Sequence, residues 1–158
     1  MTYNILFVCL GNICRSVTAQ TIMQHLVDKA GLTAHYTIDS AGIIDYHEGE
    51  LADQRMRNHA AKRGYRLTHR SRPVTPHDFE RFNLIIGMDR RNILDLQSIA
   101  PSGGRGNQIR RMTDFCLRYK DITEVPDPYY GGPDGFEYVL DVLEDACEGL
   151  LGQLQARS

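Results

Sequence analysis

Four apolar residues, Ile5-Leu6-Phe7-Val8, run directly into Cys9-Leu10-Gly11-Asn12-Ile13-Cys14-Arg15-Ser16, and Thr18-Ala19-Gln20-Thr21-Ile22-Met23 follows. The apolar run reads as a buried strand and the later stretch as the start of a helix. Between them lies room only for a tight loop, so the chain opens as a strand, a loop and a helix N-terminus. Such a loop aims several backbone N–H groups at one point in front of the helix, which suits a tetrahedral oxyanion. The same field favours a thiolate over a thiol. Gly11 gives the backbone freedom for an unusual turn. A cysteine entering this loop and an arginine leaving it would place a nucleophile, an anion cradle and a planar cation together.

The spacing Cys-x5-Arg is weak evidence alone, since the chain has 4 Cys and, with 3 Lys among 18 basic residues, 15 Arg. Context strengthens it, because Cys9 alone of the four cysteines has an arginine six residues on, with a strand before and a helix after. In the blander reading Cys9 is a buried strand-end thiol and Arg15 a solvated cap. No G-x4-G-K-[ST] pattern occurs, which excludes a nucleotide-type phosphate loop, and Cys9 and Cys14 lack the second Cys or His pair of a zinc site.

The rest of the chain alternates strands with helices. Ala19, Ile22, Met23, Leu26, Val27 and Ala30 keep helical spacing, and Gly31 stops that helix. Tyr36-Thr37-Ile38 is a short strand, and 42–51 is a polar surface loop. Asp53 caps a helix reaching Lys62, ended by Arg63-Gly64. Thr75-Pro76 starts another helix, with Thr75 as its cap. Leu84-Ile85-Ile86 is a third strand, and Asp89 caps a helix carrying Ile93, Leu94 and Leu96. The stretch 101–107 is a Gly- and Ser-rich loop, 108–112 a fourth strand, 114–119 a helical turn and 121–133 a Pro/Gly loop. A last helix holds Phe136, Val139, Leu140, Leu143, Ala146, Cys147, Leu150 and Leu154 on one face, with Asp134 and Glu137 spaced as a capping box. Strands alternating with helices predict an α/β fold, a parallel sheet with helices on both faces, and ligands beyond the carboxyl ends of its strands. With no repeat or internal boundary, 1–158 reads as a single three-layer domain.

A net charge of −2 argues against nucleic-acid or membrane binding driven by whole-chain charge. No apolar run reaches membrane-spanning length. The few residues before Cys9 hold no export signal, and four cysteines without one lead to free thiols in a reducing, cytoplasmic compartment as the expectation.

CLGNICRS resembles the signature of low-molecular-weight protein tyrosine phosphatases. Asp39-Ser40-Ala41-Gly42, Gly87-Met88-Asp89 with Asn92, and Asp127-Pro128-Tyr129-Tyr130 resemble further stretches of that family, in its order and over its length. The resemblance implies a four-stranded sheet in the order 2-1-3-4 and hydrolysis of protein phosphotyrosine and small aryl phosphates without metal or cofactor. It implies phosphotyrosine proteins as partners, in some bacterial relatives a cognate tyrosine kinase, and a monomer is expected. Cys9 is then the nucleophile that forms a phosphocysteine. Arg15 and the amides of Leu10, Gly11, Asn12, Ile13, Cys14 and Arg15 hold the phosphoryl oxygens. Asp127, stiffened between Pro126 and Pro128, is the general acid and base.

Several further roles follow from the same resemblance. Asn12 braces the loop, Ser16 is the donor to the thiolate, Ser40 is a supporting hydroxyl, and His69 with Asp89 forms a supporting pair. Ile13, Tyr46, Tyr129 and Tyr130 shape a pocket deep enough for a phenyl phosphate. Cys14 could capture an oxidised Cys9 as a disulfide. Val17 stands where the family often has Pro, and Ile43 and Ile44 replace smaller or polar residues, making that wall more apolar. Arg70 and Arg72 read as a solvated cluster.

Competing readings remain. An arsenate reductase on the same scaffold needs two more cysteines near the site, and Cys147 falls on the apolar face of the last helix. A protein-arginine phosphatase tends to carry Thr where Ile13 stands. A binder without catalysis requires loss of the nucleophile or the acid, and Cys9 and Asp127 are both present.

Overall fold

The structure, a computed structural model, describes residues 2–101, 108–129 and 131–157. Its strands are β1 (Tyr3–Cys9), β2 (Tyr36–Gly42), β3 (Leu84–Gly87) and β4 (Ile109–Arg111). They form one sheet, ordered β2-β1-β3-β4, with every neighbouring pair parallel. Because β1 is central, both its faces are covered, and Ile5 to Val8 are all fully buried. This is why the strand reads as a continuous apolar run rather than an alternating one. The two-residue period still divides its side chains. Ile5 and Phe7 join one core with α1 (Arg15–Lys29) and α5 (Pro133–Ala156), whereas Leu6 and Val8 join a second core with Phe79, Phe82, Ile85 and Leu96. That second core lies under α3 (Asp78–Arg81) and α4 (Arg90–Ile99), while α2 (Gln54–Ala61) packs on the α5 side. The sheet order and the layers agree with the sequence expectation.

Capping separates the helices. Asp53 caps α2, its carboxylate accepting the N–H groups of Arg55 and Met56, and Asp89 caps α4 in a reciprocal box with Asn92. The first helix has Cys14 in the N-cap position and no side-chain cap. Its first-turn N–H groups are therefore left for something else. Gly31 takes φ +74°, as a C-terminal stop requires.

Several expectations are corrected. The first helix begins at Arg15, three residues before Thr18, because the loop closes tightly enough for Arg15 to be helical. Thr75 does not cap a helix. The helix there is the single turn Asp78–Arg81, and the bond runs the other way, Asp78 accepting the Thr75 N–H at 2.8 Å. The turn expected at 114–119 is a 3-10 turn at Met112–Phe115. After it, the N–H groups of Leu117, Arg118 and Tyr119 all donate to the buried carboxylate of Asp145. The capping box of Asp134 and Glu137 is absent, since Gly132 is the N-cap and Glu137 instead meets His59 and Arg63. Residues 102–107 of the expected loop, and Tyr130, lie outside the described residues.

Candidate active site

The loops after β1 and β2, and the segment before α5, meet at the carboxyl end of the sheet, around a cavity of about 360 Å³. Cys9, Leu10, Gly11, Ile13, Cys14, Arg15, Ile44, Tyr46, His47, Asp127 and Tyr129 line it. The first loop is seated on glycine. A Cβ on Gly42 would stand 3.0 Å from the Gly11 carbonyl carbon and 3.1 Å from Asn12 N, so the strand after Ala41 can approach the loop only as glycine. Ser71 Oγ donates to Gly11 O at 2.9 Å.

Asn12 turns the loop with φ +57°, and its buried side chain locks the turn. Its Oδ1 accepts the Arg72 N–H at 3.1 Å, which fixes which end of the amide is oxygen. Its Nδ2 therefore donates to Ser16 Oγ at 2.8 Å and Ser40 Oγ at 3.0 Å. Ser40 Oγ in turn donates to Gln20 Oε1, 2.5 Å away. Ser16 Oγ, which accepts from Asn12, lies 3.0 Å from Cys9 Sγ and is the donor of that pair when the sulfur is a thiolate. A thiolate at Cys9 thus has a hydroxyl donor held in place by Asn12, four residues before Ser16.

Arg15 is 3% exposed, and its Nη1 donates to Asp89 Oδ2 at 2.7 Å and to Val125 O at 3.0 Å. Burial by itself would lower its pKa, but Cys9, Asp89 and Asp127 outweigh that and hold the guanidinium above its ordinary value. Its other terminal nitrogen, Nη2, lies 3.8 Å from Asp127 Oδ2 and looks into the cavity. Asp89 thus serves two elements, capping α4 with one oxygen and aiming Arg15 with the other. Cys14 is buried beside Cys9, and burial, then the charges of Asp53, Cys9 and Asp127, push its thiol upward.

His69 and Asp89 do not form a pair. His69 braces the loop from one side, its Nε2 donating to Asn12 Oδ1 at 3.1 Å, and Asp89 holds Arg15 from the other. Burial and the Arg72 charge lower the His69 pKa against the pull of Asp39, which keeps the ring neutral. Arg72 is not solvated either. It bridges Asp39 and Asp78 with both ends of its fork, at 3.0 and 3.1 Å, while Arg70 is exposed and pins Gly49 O. Ile44 lines the cavity as expected, but Ile43 turns into the second core. Tyr46, 79% exposed, is a rim residue rather than a buried wall.

Cys116 and Cys147 do not line the cavity. Burial and Asp145 raise Cys116 to about 11, and Cys147 is fully buried with its thiol directed at Ala19 O. Among the described residues no cluster of His, Cys, Asp or Glu has the geometry of a metal site.

Sequence reasoning missed His47, whose ring packs on Gly11, and Gln20, the last acceptor in the Asn12 network. Gln20 lies four residues after Ser16, on the same helix face, a spacing that could have pointed to it. It also missed Arg55, which sits over the Tyr129 ring.

A sheet whose first strand ends in a cysteine, followed by an uncapped helix and a buried arginine, defines a class of proteins built around one cysteine- and arginine-bearing anion loop. Residues 4–158 match the family model described as low molecular weight phosphotyrosine protein phosphatase. A low molecular weight protein-tyrosine-phosphatase of Streptomyces coelicolor is 40% identical over 157 residues, covering 98% of this chain and 95% of the relative. The crystal structure of a protein tyrosine phosphatase from Entamoeba histolytica, with Hepes in its active site, superposes with a TM-score of 0.94 at 46% identity, over 98% of both chains. The crystal structure of a Drosophila arginine phosphatase superposes with a TM-score of 0.88 at 30% identity, over 95% of this chain and 96% of that one. The chain belongs to the low molecular weight phosphotyrosine protein phosphatase family. Among the described residues no helix is long and apolar enough to cross a membrane.

Proposed function

We propose that this chain, acting as one domain, hydrolyses phosphotyrosine in proteins, and small aryl phosphates, through a phosphocysteine. The observation that carries the reading is the convergence of Cys9, Arg15 and Asp127 on one cavity, with the Ser16 hydroxyl oxygen 3.0 Å from the sulfur. In the first step the Cys9 thiolate attacks phosphorus. The S–P bond forms as the P–O bond to the phenol breaks, and Asp127 delivers its proton to the leaving oxygen. Arg15, oriented by Asp89, and the open N–H groups of the loop and of α1 hold the remaining phosphoryl oxygens. In the second step Asp127, now a carboxylate, takes a proton from water as that water attacks phosphorus. The S–P bond breaks, and the sulfur leaves as a thiolate stabilised by the Ser16 hydroxyl. Ile13, Ile44, Tyr46 and Tyr129 line the cavity with apolar and aromatic surface that suits a phenyl ring.

The test is a leaving-group series of aryl phosphates on the wild type and Asp127→Ala, read as kcat/KM, which reports through phosphoryl transfer to the enzyme. General acid catalysis is typically worth about 10²–10⁴-fold. A phenol with pKa ~10 needs the proton, and an activated, strongly acidic phenol scarcely does. The loss should therefore be large on phosphotyrosine and small on activated esters. The same loss on every leaving group would reject Asp127 as the acid. Wild-type turnover of phosphoarginine or arsenate in preference to phosphotyrosine would reject the substrate class.

A further inference from the structure

The segment carrying Asp127 is pinned where it starts, Val125 N–H donating to Met88 O at 2.8 Å and Val125 O accepting from Arg15. Two residues on, the Asp127 side chain is 41% exposed, and its Oδ2 lies beyond hydrogen-bond reach of Arg15. Its Oδ1 accepts the Tyr129 N–H at 3.0 Å, so the direction of the carboxyl depends on where Tyr129 sits. The Tyr129 ring lies 5.2 Å from Arg55 Cζ, and the Phe136 ring lies 5.0 Å from the same carbon. Phe136 is buried at the start of α5 and stacks on His59 of α2. Arg55 is held in its turn, with Nε and Nη2 on the two oxygens of Asp53 at 3.2 and 3.0 Å. Asp53 caps α2, and its own N–H donates to Ile13 O in the anion loop at 2.9 Å.

We infer that Arg55 is a positioning residue for the general acid: clamped to Asp53, it holds the Tyr129 ring and, through the Tyr129 N–H, aims the Asp127 carboxyl at the leaving oxygen. The inference rests on the role proposed for Asp127. In the bland alternative Arg55 is a half-exposed cation paired to a neighbouring aspartate. The geometry argues against that, because the guanidinium also stands at contact distance from two rings on two other segments, which a solvated side chain does not need. A planar cation is required, since it must present a fork to a carboxylate and a face to a ring, and lysine can do neither. The clamp also ties the acid to the anion loop through Asp53, so the two halves of the site keep their spacing.

The test uses the same leaving-group series on Arg55→Met, Arg55→Lys, Tyr129→Leu and the Arg55→Met/Tyr129→Leu double variant. Met is unbranched and has a helix propensity close to that of Arg, so α2 should remain folded. Small misplacements of a catalytic group are costly, so Arg55→Met should lose about tenfold in kcat/KM on phosphotyrosine and far less on an activated ester. Inhibition by inorganic phosphate should hold, because the cradle is untouched, and Arg55→Lys should recover little. The double variant should be no worse than the poorer single variant, since both changes break one linkage. No loss on phosphotyrosine, equal loss across leaving groups, additive losses, or full rescue by Lys would each overturn the clamp. If Asp127→Ala shows the leaving-group dependence and Arg55→Met does not, the acid stands and the clamp falls. If Asp127→Ala lacks it, the acid assignment fails and the clamp fails with it.

Discussion

Ser16 Oγ stands 3.0 Å from Cys9 Sγ and accepts the Asn12 amide at 2.8 Å, which holds the hydroxyl where it donates to the sulfur whenever the sulfur is a thiolate. The donor stabilises the full thiolate before attack and again as charge returns to the sulfur leaving phosphorus, so its absence slows the second step more than the first. A hydrogen bond to a charged group contributes roughly 1.5–3 kcal/mol. Ser16→Ala should therefore slow turnover by about 10–100-fold, with loss of the second step exceeding loss of the first. Rapid-mixing kinetics with an activated aryl phosphate should show a burst of phenol larger than in the wild type. Unchanged turnover and an unchanged burst would remove the hydroxyl from the mechanism.

We propose Cys14, which lines the same cavity, as a redox partner of Cys9. Peroxide converts the Cys9 thiolate to a sulfenic acid, and Cys14, giving up its proton as it attacks, forms the S–S bond as the S–O bond breaks and the hydroxyl leaves with that proton as water. Thiol reductant should then restore activity in the wild type, while Cys14→Ser should recover much less after the same exposure. Equal recovery of the two proteins would show that Cys14 offers no protection.

Packing supplies a test independent of the chemistry. A Cβ on Gly149 would fall 1.8 Å from Phe115 O, whereas one on Gly152, in the same helix, meets nothing within 4 Å. In a helix interior Gly→Ala is normally worth about 0.5–1 kcal/mol of added stability. Overpacking typically costs ~1–3 kcal/mol, which outweighs that gain at Gly149. Urea unfolding should place the midpoint of Gly149→Ala below the wild type and that of Gly152→Ala above it. A stabilised Gly149→Ala would contradict the close contact of α5 with the turn at Met112–Phe115.

The parts of this fold legible in the sequence are those where one periodicity has one outcome. The apolar run Ile5 to Val8 reads as a buried strand and is one, and Asp53, Asp89 and Gly31 sit where their backbone chemistry is used. The site was legible where residues are close in sequence, from Cys9 to Ser16. It was not legible where one side chain chooses among distant partners. Arg72 could have been solvated, and only the fold brings Asp39 and Asp78 to the two ends of its fork. His69 and Asp89 were both placed at the loop, yet nothing local says that one takes Asn12 and the other Arg15. The spacing of Asp134 and Glu137 suits a capping box, but His59 and Arg63 from the α2 side compete for Glu137 and win.

The most direct test of the central claim is to trap the intermediate. Asp127→Ala mixed with an activated aryl phosphate should form the phosphoenzyme and break it down slowly, since the base for water is gone. Quenching within the burst, followed by digestion and fragment-ion mass spectrometry, should place the phosphoryl group on Cys9 and leave Cys14 unmodified. Cys9→Ser treated identically should show no burst and no phosphocysteine. A phosphoryl group on any other residue, or turnover by Cys9→Ser at the wild-type rate, would contradict the assignment of Cys9 as the nucleophile.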